Sequence, residues 1–245
     1  MSCKPVIRVQ AEDFDPATEA ERLGKSLYAL REELHTRMPP MDEALDLAAA
    51  EPKGPVVLAD MSDNPGGGAP SDATFLLRAM IERGMTSVAT GLFWDPVAVR
   101  FCTEAGEGAS FELRLGGKCG PMSGDPLDLK VTVRRIIPGM SQRFGKLSAP
   151  IGTAVWVECD GIDIVLNDLR CQTFHPDAFE KLGIDLSQRR YVCVKSSNHY
   201  QAGFNPIAAR VIGVATPGAI TPDYANIPYR NRKRNYWPAV EDPFA

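Results

Sequence analysis

The stretch of sequence that decides the fold is Pro55-Val56-Val57-Leu58-Ala59-Asp60-Met61-Ser62-Asp63-Asn64-Pro65-Gly66-Gly67-Gly68. Its first half, residues 56–59, is apolar at every position, which is typical of a strand buried on both faces of a parallel sheet. A polar, glycine-rich loop follows, and the residues after it predict a helix over residues 71–83, closed by Gly84. This strand, loop and helix indicate one unit of an α/β fold.

The same alternation continues on both sides of this unit. Strands are predicted over residues 87–92 and 191–194, and Asp95-Pro96 supplies an N-cap and a first-turn proline for a further helix. On the N-terminal side, Asp15 caps an amphipathic helix that runs to about residue 36, and a short helix covers residues 42–50. We therefore predict an α/β fold with a mainly parallel sheet flanked by helices. Its central strands are those at 56–59, 88–92 and 192–194.

The middle of the chain alternates apolar with polar residues, which indicates antiparallel strands. Four are predicted, at residues 110–115, 127–137, 154–158 and 162–167. They form a β-rich insertion over residues 110–167, within one domain that spans residues 1–245. The remaining predicted elements are a strand at 5–9, a helix after His175-Pro176, a short helix near Asn205-Pro206 and an extended tail from Thr216.

Composition and charge exclude several classes of protein. The chain has 245 residues, of which 44% are hydrophobic and 24% charged, so it is long enough to bury a sizeable core. A net charge of −4 gives no reason to expect a nucleic-acid or anionic-membrane partner. The sequence shows neither a bilayer-spanning apolar run nor the apolar stretch of a signal peptide, so the cytoplasm is the expected compartment.

The cysteines and histidines form no local metal motif. None of the six cysteines forms a C-x-x-C pair, and they are interpreted as reduced core residues. The three histidines, His35, His175 and His199, are far apart and show no H-E-x-x-H spacing. We therefore assign no metal ligand to this chain.

The glycine loop has two interpretations. Gly66, Gly67 and Gly68 follow a strand and precede a helix, and backbone N–H groups in such a turn can bind an anion. Alternatively, the loop is a tight turn that needs glycine torsions. Asp60 and Asp63 argue against phosphate as the ligand because they would repel it.

Two further strand ends carry polar side chains. Arg170 follows the strand at 162–167, where it would clamp a carboxylate, although a surface ion pair explains it equally well. Lys195-Ser196-Ser197-Asn198-His199 follows the strand at 191–194. A serine nucleophile is one interpretation, but no G-x-S-x-G elbow is present and a capped turn is favoured.

Several of these motifs together resemble one known family. Asp63-Asn64-Pro65-Gly66-Gly67-Gly68 with Asp72 downstream is similar to the D-N-P-G-G-G motif of MlrC-type (microcystinase C) proteins. The other matching segments are Trp94-Asp95-Pro96, Leu115-Gly116-Gly117-Lys118, Arg170 with Gln172, Lys195-Ser196 with His199, and Tyr236-Trp237-Pro238. They occur in order from about residue 55 to the tail. After His199 the family has an aromatic residue, Arg and Ala, whereas this chain has Tyr200-Gln201-Ala202 and lacks that positive charge.

The resemblance implies a two-part zinc metallopeptidase that hydrolyses amide bonds in small or linear peptides. In that family the metal ligands and catalytic residues lie in a larger N-terminal domain, which has no counterpart here. This chain would then form one wall of the cleft and be inactive alone. Its expected substrate-binding residues are Asp63, Asn64, Arg170, Lys195 and His199, with Gly66, Gly67 and Gly68 as the backbone loop, and we assign it no catalytic residue.

The expected partners follow from the same resemblance. They are a metal-bearing N-terminal domain or subunit, which would carry the zinc, and a small peptide-like substrate. Whether the chain is a truncated gene product, a subunit of a split enzyme or a homo-oligomer stays open. The alternative function is a stand-alone module that binds a small molecule or anion through the glycine loop without catalysis.

Overall fold

The computed structural model describes residues 15–34 and 38–243, and the chain divides into two compact units, residues 1–38 and 39–245. The first unit contains helices α1 (Pro16–Ala29) and α2 (Arg31–Leu34). The Asp15 side chain accepts hydrogen bonds from the amides of Ala17 and Thr18, which confirms the predicted N-cap. The predicted strand at residues 5–9 and the predicted helix end near residue 36 lie outside the described residues.

The second unit contains five helices and eight strands among its described residues. The helices are α3 (Met41–Ala50), α4 (Phe75–Glu82), α5 (Pro96–Ala105), α6 (Asp177–Glu180) and α7 (Gln201–Phe204). The strands are β1 (Val56–Asp60), β2 (Val88–Trp94), β3 (Ser110–Leu115), β4 (Leu127–Phe144), β5 (Leu147–Cys159), β6 (Ile162–Asn167), β7 (Tyr191–Val194) and β8 (Arg210–Val214).

All eight strands belong to one mixed sheet in the order β3-β4-β5-β6-β2-β7-β1-β8. Strands β6, β2, β7, β1 and β8 are parallel to their neighbours, whereas β3 to β6 pair antiparallel. The three predicted central strands are β1, β2 and β7, and they lie side by side at the middle of the sheet. The predicted α/β fold is confirmed.

The apolar run of β1 is buried because helices cover both faces of the sheet. Val56 and Leu58 pack into the core cluster that also contains the α3, α4 and α5 side chains. Val57 and Ala59 point to the opposite face, in the cluster that contains Phe179 of α6 and Phe204 of α7.

Strands β4 and β5 are longer than predicted and form a projecting arm. The predicted strand end at residue 137 is followed by Pro138 and Gly139, which usually interrupt a strand. Here the register shifts between Ile137 and Met140 instead, and β4 continues to Phe144. Ala154 of β5 pairs with Asn167, the last residue of β6, so residues 138–153 extend beyond the sheet. We call residues 138–153 the hairpin arm.

Three further predictions differ from the structure. The helix expected near Asn205-Pro206 is α7, which ends at Phe204 because proline lacks an N–H and disfavours helical torsions in the preceding residue. Helix α4 begins at Phe75 rather than Ser71, whose φ is +72°. Strand β8 was not predicted. Within residues 15–34 and 38–243, none of the helices has the length and apolar character needed to cross a bilayer.

Candidate functional site

The carboxyl ends of the five parallel strands meet at one edge of the sheet, which we call the rim. The segments that leave it are residues 60–68 after β1, Asp95 after β2, residues 168–172 after β6, residues 195–199 after β7 and Thr216 after β8. Ligands of open α/β sheets bind at this edge. Most of the polar residues that stood out in the sequence therefore lie along one rim.

A buried ion cluster lies beneath the rim. The Lys195 ammonium is 2.9 Å from Oδ2 of Asp63 and 3.3 Å from Oδ2 of Asp60, and it donates to the Ala73 carbonyl at 2.8 Å. These side chains are at most 4% exposed. Thr216 donates its hydroxyl to Asp60 at 2.5 Å. Asp63 and Lys195 follow the neighbouring strands β1 and β7, and their side chains face each other rather than solvent.

Burial and charge act in opposite directions on this cluster. Burial lowers the pKa of Lys195, but the carboxylates of Asp63 and Asp60 outweigh it and raise that pKa above its ordinary value. Burial also raises the pKa of Asp63; Lys195 opposes this shift and Asp60 adds to it. Two carboxylates share one ammonium, so a negative charge is left without a full partner.

Asn64 and Asp63 fix the path of the glycine loop. Asp63 accepts hydrogen bonds from the amides of Ser71 at 2.8 Å and Ala73 at 2.7 Å. Asn64 accepts from the Gly66 amide at 3.0 Å and donates to the Ser197 hydroxyl at 2.5 Å. The glycine loop is therefore tied both to the start of α4 and to the segment after β7.

The amides of the glycine loop are used within the loop itself. Gly67 and Ala69 donate to the Asn64 carbonyl, and Gly68 donates to the Pro65 carbonyl. Since the Gly66 amide is bound by Asn64, this loop does not present a cradle of N–H groups to an anion. A Cβ at Gly66 would lie 1.9 Å from Nε2 of Gln172, so a side chain at this position would displace the Gln172 amide.

The segment after β7 does not form a nucleophile. Ser196 is fully buried and donates its hydroxyl to Oε1 of Gln172 at 3.2 Å, while Lys195 is engaged by carboxylates. His199 is exposed, and its Nδ1 lies 3.3 Å from the same Gln172 oxygen. The arrangement supports the capped-turn interpretation and leaves Nε2 of His199 directed away from this contact.

Arg170 lies apart from the other candidates. Its guanidinium is exposed and lies 5.9 Å from the ring centroid of Trp94. Among the described residues no carboxylate lies within ion-pair distance of it, so the surface ion pair that the sequence left open is not formed. Strand β2 separates β6 from β7, which places Arg170 about 10 Å along the rim from the strand of Lys195.

The hairpin arm folds towards the rim through a buried glutamine. Gln142 is fully buried, donates to the Gln172 carbonyl at 2.6 Å and accepts from the amides of Phe174 at 2.8 Å and His175 at 3.3 Å. Phe144, the last residue of β4, stacks on Phe174. Gln142 and Phe144 were not predicted from the sequence because the predicted strand ends at residue 137.

The rim residues fall within a region shared with a known family. The family model described as MlrC C-terminus matches residues 58–231. The chain belongs to the MlrC C-terminus family. Microcystinase C from Sphingomonas sp is 35% identical over 240 residues, which are 97% of this chain and 46% of that protein.

A solved structure has the same fold. A crystal structure from Mesorhizobium sp. BNC1, provisionally assigned as a metallopeptidase, matches with a TM-score of 0.78 and 26% identity. The match covers 91% of this chain and 45% of that one. The chain therefore spans about half the length of both relatives.

Two aspartates of the MlrC motifs, Asp72 and Asp95, are buried and hold a neighbouring loop in place. Asp72 accepts from the amides of Lys118 at 2.8 Å and Cys119 at 3.0 Å. Asp95, of the Trp94-Asp95-Pro96 motif, accepts from the Gly116 amide at 2.9 Å and from Lys118 Nζ at 2.5 Å. The two aspartates together hold the Leu115-Gly116-Gly117-Lys118 loop against the rim.

The MlrC rim does not fit a metal ion. Its buried carboxylates, Asp60, Asp63, Asp72 and Asp95, direct their oxygens at amides, hydroxyls and ammonium groups. Across the described ranges, no group of three or more His, Cys, Asp and Glu side chains has metal-binding geometry. Burial, together with Asp72, raises the pKa of Cys119 to about 11, so this rim thiol stays protonated at neutral pH.

Proposed function

We propose that the chain is the C-terminal domain of an MlrC-type metallopeptidase and that its rim forms one wall of a cleft for small or linear peptides. Membership of the family and a relative assigned as a metallopeptidase support a peptidase role. The observation that carries the cleft assignment is Arg170. It is an exposed cation, unpaired among the described residues, at the sheet edge where α/β folds bind ligands.

In this proposal the exposed and buried rim residues have different tasks. Arg170 binds a substrate carboxylate through two parallel N–H···O bonds, a geometry that guanidinium and carboxylate share. His199, whose side chain is exposed, faces the polar groups of the peptide, and the buried Asn64 holds the glycine loop against Ser197. Asp63 and Lys195 are positioning residues, because they hold the loop that carries Asn64 without reaching the surface.

Bond cleavage is assigned to the metal-bearing N-terminal half that the family resemblance implies. The family resemblance implies zinc for the complete enzyme, but the donor groups of this rim do not fit it. This chain binds and orients the peptide. We therefore expect the isolated chain to show no peptidase activity.

The proposal is tested with a chimera in which this chain replaces the matching region of microcystinase C. We expect the chimera to hydrolyse a linear peptide that carries a free carboxylate. Arg170→Ala should cost about 2–5 kcal/mol of transition-state stabilisation, roughly 30-fold or more in kcat/KM, because in this proposal the metal-bearing half covers the exposed rim and buries the pair of Arg170 with the substrate carboxylate. Arg100→Ala is the matched control, since Arg100 is an exposed arginine that pairs with Glu104 on the outer face of α5.

Two outcomes contradict the proposal. One is a folded, zinc-loaded chimera that hydrolyses none of the linear peptides. The other is an Arg170→Ala variant that is as active as the Arg100→Ala control on a carboxylate-bearing peptide, which would leave Arg170 as an ordinary surface residue.

A further inference from the structure

Three aromatic rings meet at the rim where the hairpin arm folds over it. Phe144 and Phe174 stack with their ring centroids 4.4 Å apart and an interplanar angle of 28°. The imidazole of His199 is nearly perpendicular to both, with centroid distances of 5.3 Å to Phe144 and 5.8 Å to Phe174. We call these three rings the aromatic corner. Phe144 is 37% exposed and His199 is exposed, so the corner is open to solvent.

The aromatic corner is held in place by the polar groups behind it. Gln142 binds the backbone on both sides of residue 173, as described above. The amide of the next residue, Arg143, donates to the Asp177 carboxylate at 3.1 Å, and Lys181 donates to the Ser141 carbonyl at 2.6 Å. The end of the arm is thereby fixed to α6 and to the segment before it. A surface formed in advance loses little conformational entropy when a ligand binds.

A hydrogen-bond acceptor borders the apolar surface. With Oε1 of Gln172 as the acceptor, neutral His199 carries its proton on Nδ1, and Nε2 remains an acceptor. The same Gln172 side chain contacts Gly66, so the corner is continuous with the glycine loop. An apolar ring surface beside an acceptor matches one residue of a peptide, with its side chain on the rings and its backbone N–H on the imidazole.

We infer that the aromatic corner is a subsite for an aromatic side chain of the peptide substrate. The identity of the ligand as a peptide rests on the proposed function. Aromatic pairs favour offset-stacked and edge-to-face geometries at about 4.5–7 Å between centroids. Phe144 and His199 are exposed and nearly perpendicular to each other, so a third ring can stack on one and meet the other edge to face. Phe144 is the residue that sets the preference, because it is the more exposed member of the stacked pair.

The inference is tested by NMR titration of the full chain with two blocked peptides, acetyl-Ala-Phe-Ala-amide and acetyl-Ala-Ala-Ala-amide. The phenylalanine peptide should shift the ring resonances of Phe144, Phe174 and His199, and it should bind about five-fold more tightly than the alanine peptide. Phe144→Ala should abolish that difference. Leu147→Ala is the matched control, because Leu147 is a 70% exposed apolar residue of the same arm.

The inference is overturned by equal affinity for the two peptides, by resonance shifts elsewhere, or by a Phe144→Ala variant that binds like the wild type. Because the titration needs neither metal nor hydrolysis, its result is independent of the chimera assay. A chimera that hydrolyses phenylalanine and alanine peptides equally well would support the proposed function and contradict the subsite. If the chimera is inactive but the chain binds the phenylalanine peptide more tightly than the alanine peptide, the subsite is supported and the proposed function is contradicted.

Discussion

At the scale of single residues, Lys195 offsets the free-energy cost of burying the Asp60 and Asp63 carboxylates beneath the rim. It is the ammonium that both Asp60 and Asp63 contact. Lys195→Met keeps most of the side-chain volume but leaves two buried carboxylates unpaired, which should lower the free energy of unfolding by about 3–5 kcal/mol. Guanidinium chloride unfolding measures this. Lys53→Met, at an exposed lysine, is the control, and equal stability of the two variants would contradict the role of the cluster.

The cluster also predicts how stability depends on pH. The pKa of Lys195 is raised in the folded state, so its contribution is complete below its ordinary pKa and is lost as pH rises through the folded value. The pKa of Asp63 is raised as well, so the folded state takes up a proton more readily than the unfolded chain as pH falls. The deficit of Lys195→Met should therefore be smaller at about pH 5 than at about pH 8. Unfolding curves at both values check this, and a deficit independent of pH would contradict it.

Residue types and strand ends were enough to predict which polar groups lie along the rim. Asp63, Arg170 and Lys195 all follow predicted strands, and parallel strands share one edge. Their exposure was not predictable in the same way. Lys195 is buried because Asp60 and the Ala73 carbonyl compensate its charge, and Ala73 is distant from it in sequence. Arg170 has no such partner among the described residues and stays in solvent.

At the scale of elements, the hairpin arm depends on Gln142. Gln142→Ala removes three hydrogen bonds to the segment at residues 172–175 and leaves buried backbone groups unpaired, which should cost about 1–3 kcal/mol. The loss should be local. Hydrogen exchange should accelerate in the arm and in residues 172–175 but not in β1. Lys146→Ala at the exposed turn of the arm is the control, and unchanged protection in Gln142→Ala would show that the strand pairing alone holds the arm.

Strands with an uninterrupted apolar pattern were predicted with the correct bounds, whereas β4 and β8, which contain internal glycine or proline, were cut short or missed. Strands β3, β6 and β7 have the predicted bounds because their apolar patterns are uninterrupted. Strand β4 passes through Pro138 and Gly139, where a register shift allows the chain to continue. Strand β8 is a short apolar segment that contains Gly213, so its own sequence favours a strand only weakly. Its hydrogen-bonded pairing with β1 stabilises it as a strand.

At the scale of the whole molecule, the parallel strands bring together motifs that are far apart in the chain. The order β6-β2-β7-β1-β8 places the segments after residues 167, 94, 194, 60 and 214 along one rim. Buried aspartates then tie three of these segments to one another, since Asp60 binds Thr216 and Asp63 binds Lys195. The motifs are therefore linked through the sheet, and a change in one of them is expected to be felt in the others.

The start of the C-terminal tail belongs to this rim. Thr216 donates to Asp60 and accepts, through its carbonyl, from the Ser62 hydroxyl at 2.6 Å. The Ile220 amide donates to the Ser62 carbonyl at 3.0 Å, and the Ile220 side chain lies against Gly67. Farther along, the tail is hydrogen-bonded to itself, as in the bond from the Tyr236 hydroxyl to the Tyr224 carbonyl.

This difference predicts that two truncations of the tail act very differently. A chain that ends after Thr221 keeps the hydrogen bonds of Thr216 and Ile220, so it should lose less stability than a chain that ends before them. A chain that ends after Val214 loses the hydroxyl bound to Asp60 and leaves the Ser62 side chain unpaired. It should be about 2–4 kcal/mol less stable, because one of the lost bonds is to a buried carboxylate. Guanidinium chloride unfolding of the two truncated chains decides the matter. Equal stability would mean that the tail lies on the rim without supporting it, whereas a large loss after truncation at Thr221 would move the support to the Tyr224–Tyr236 region.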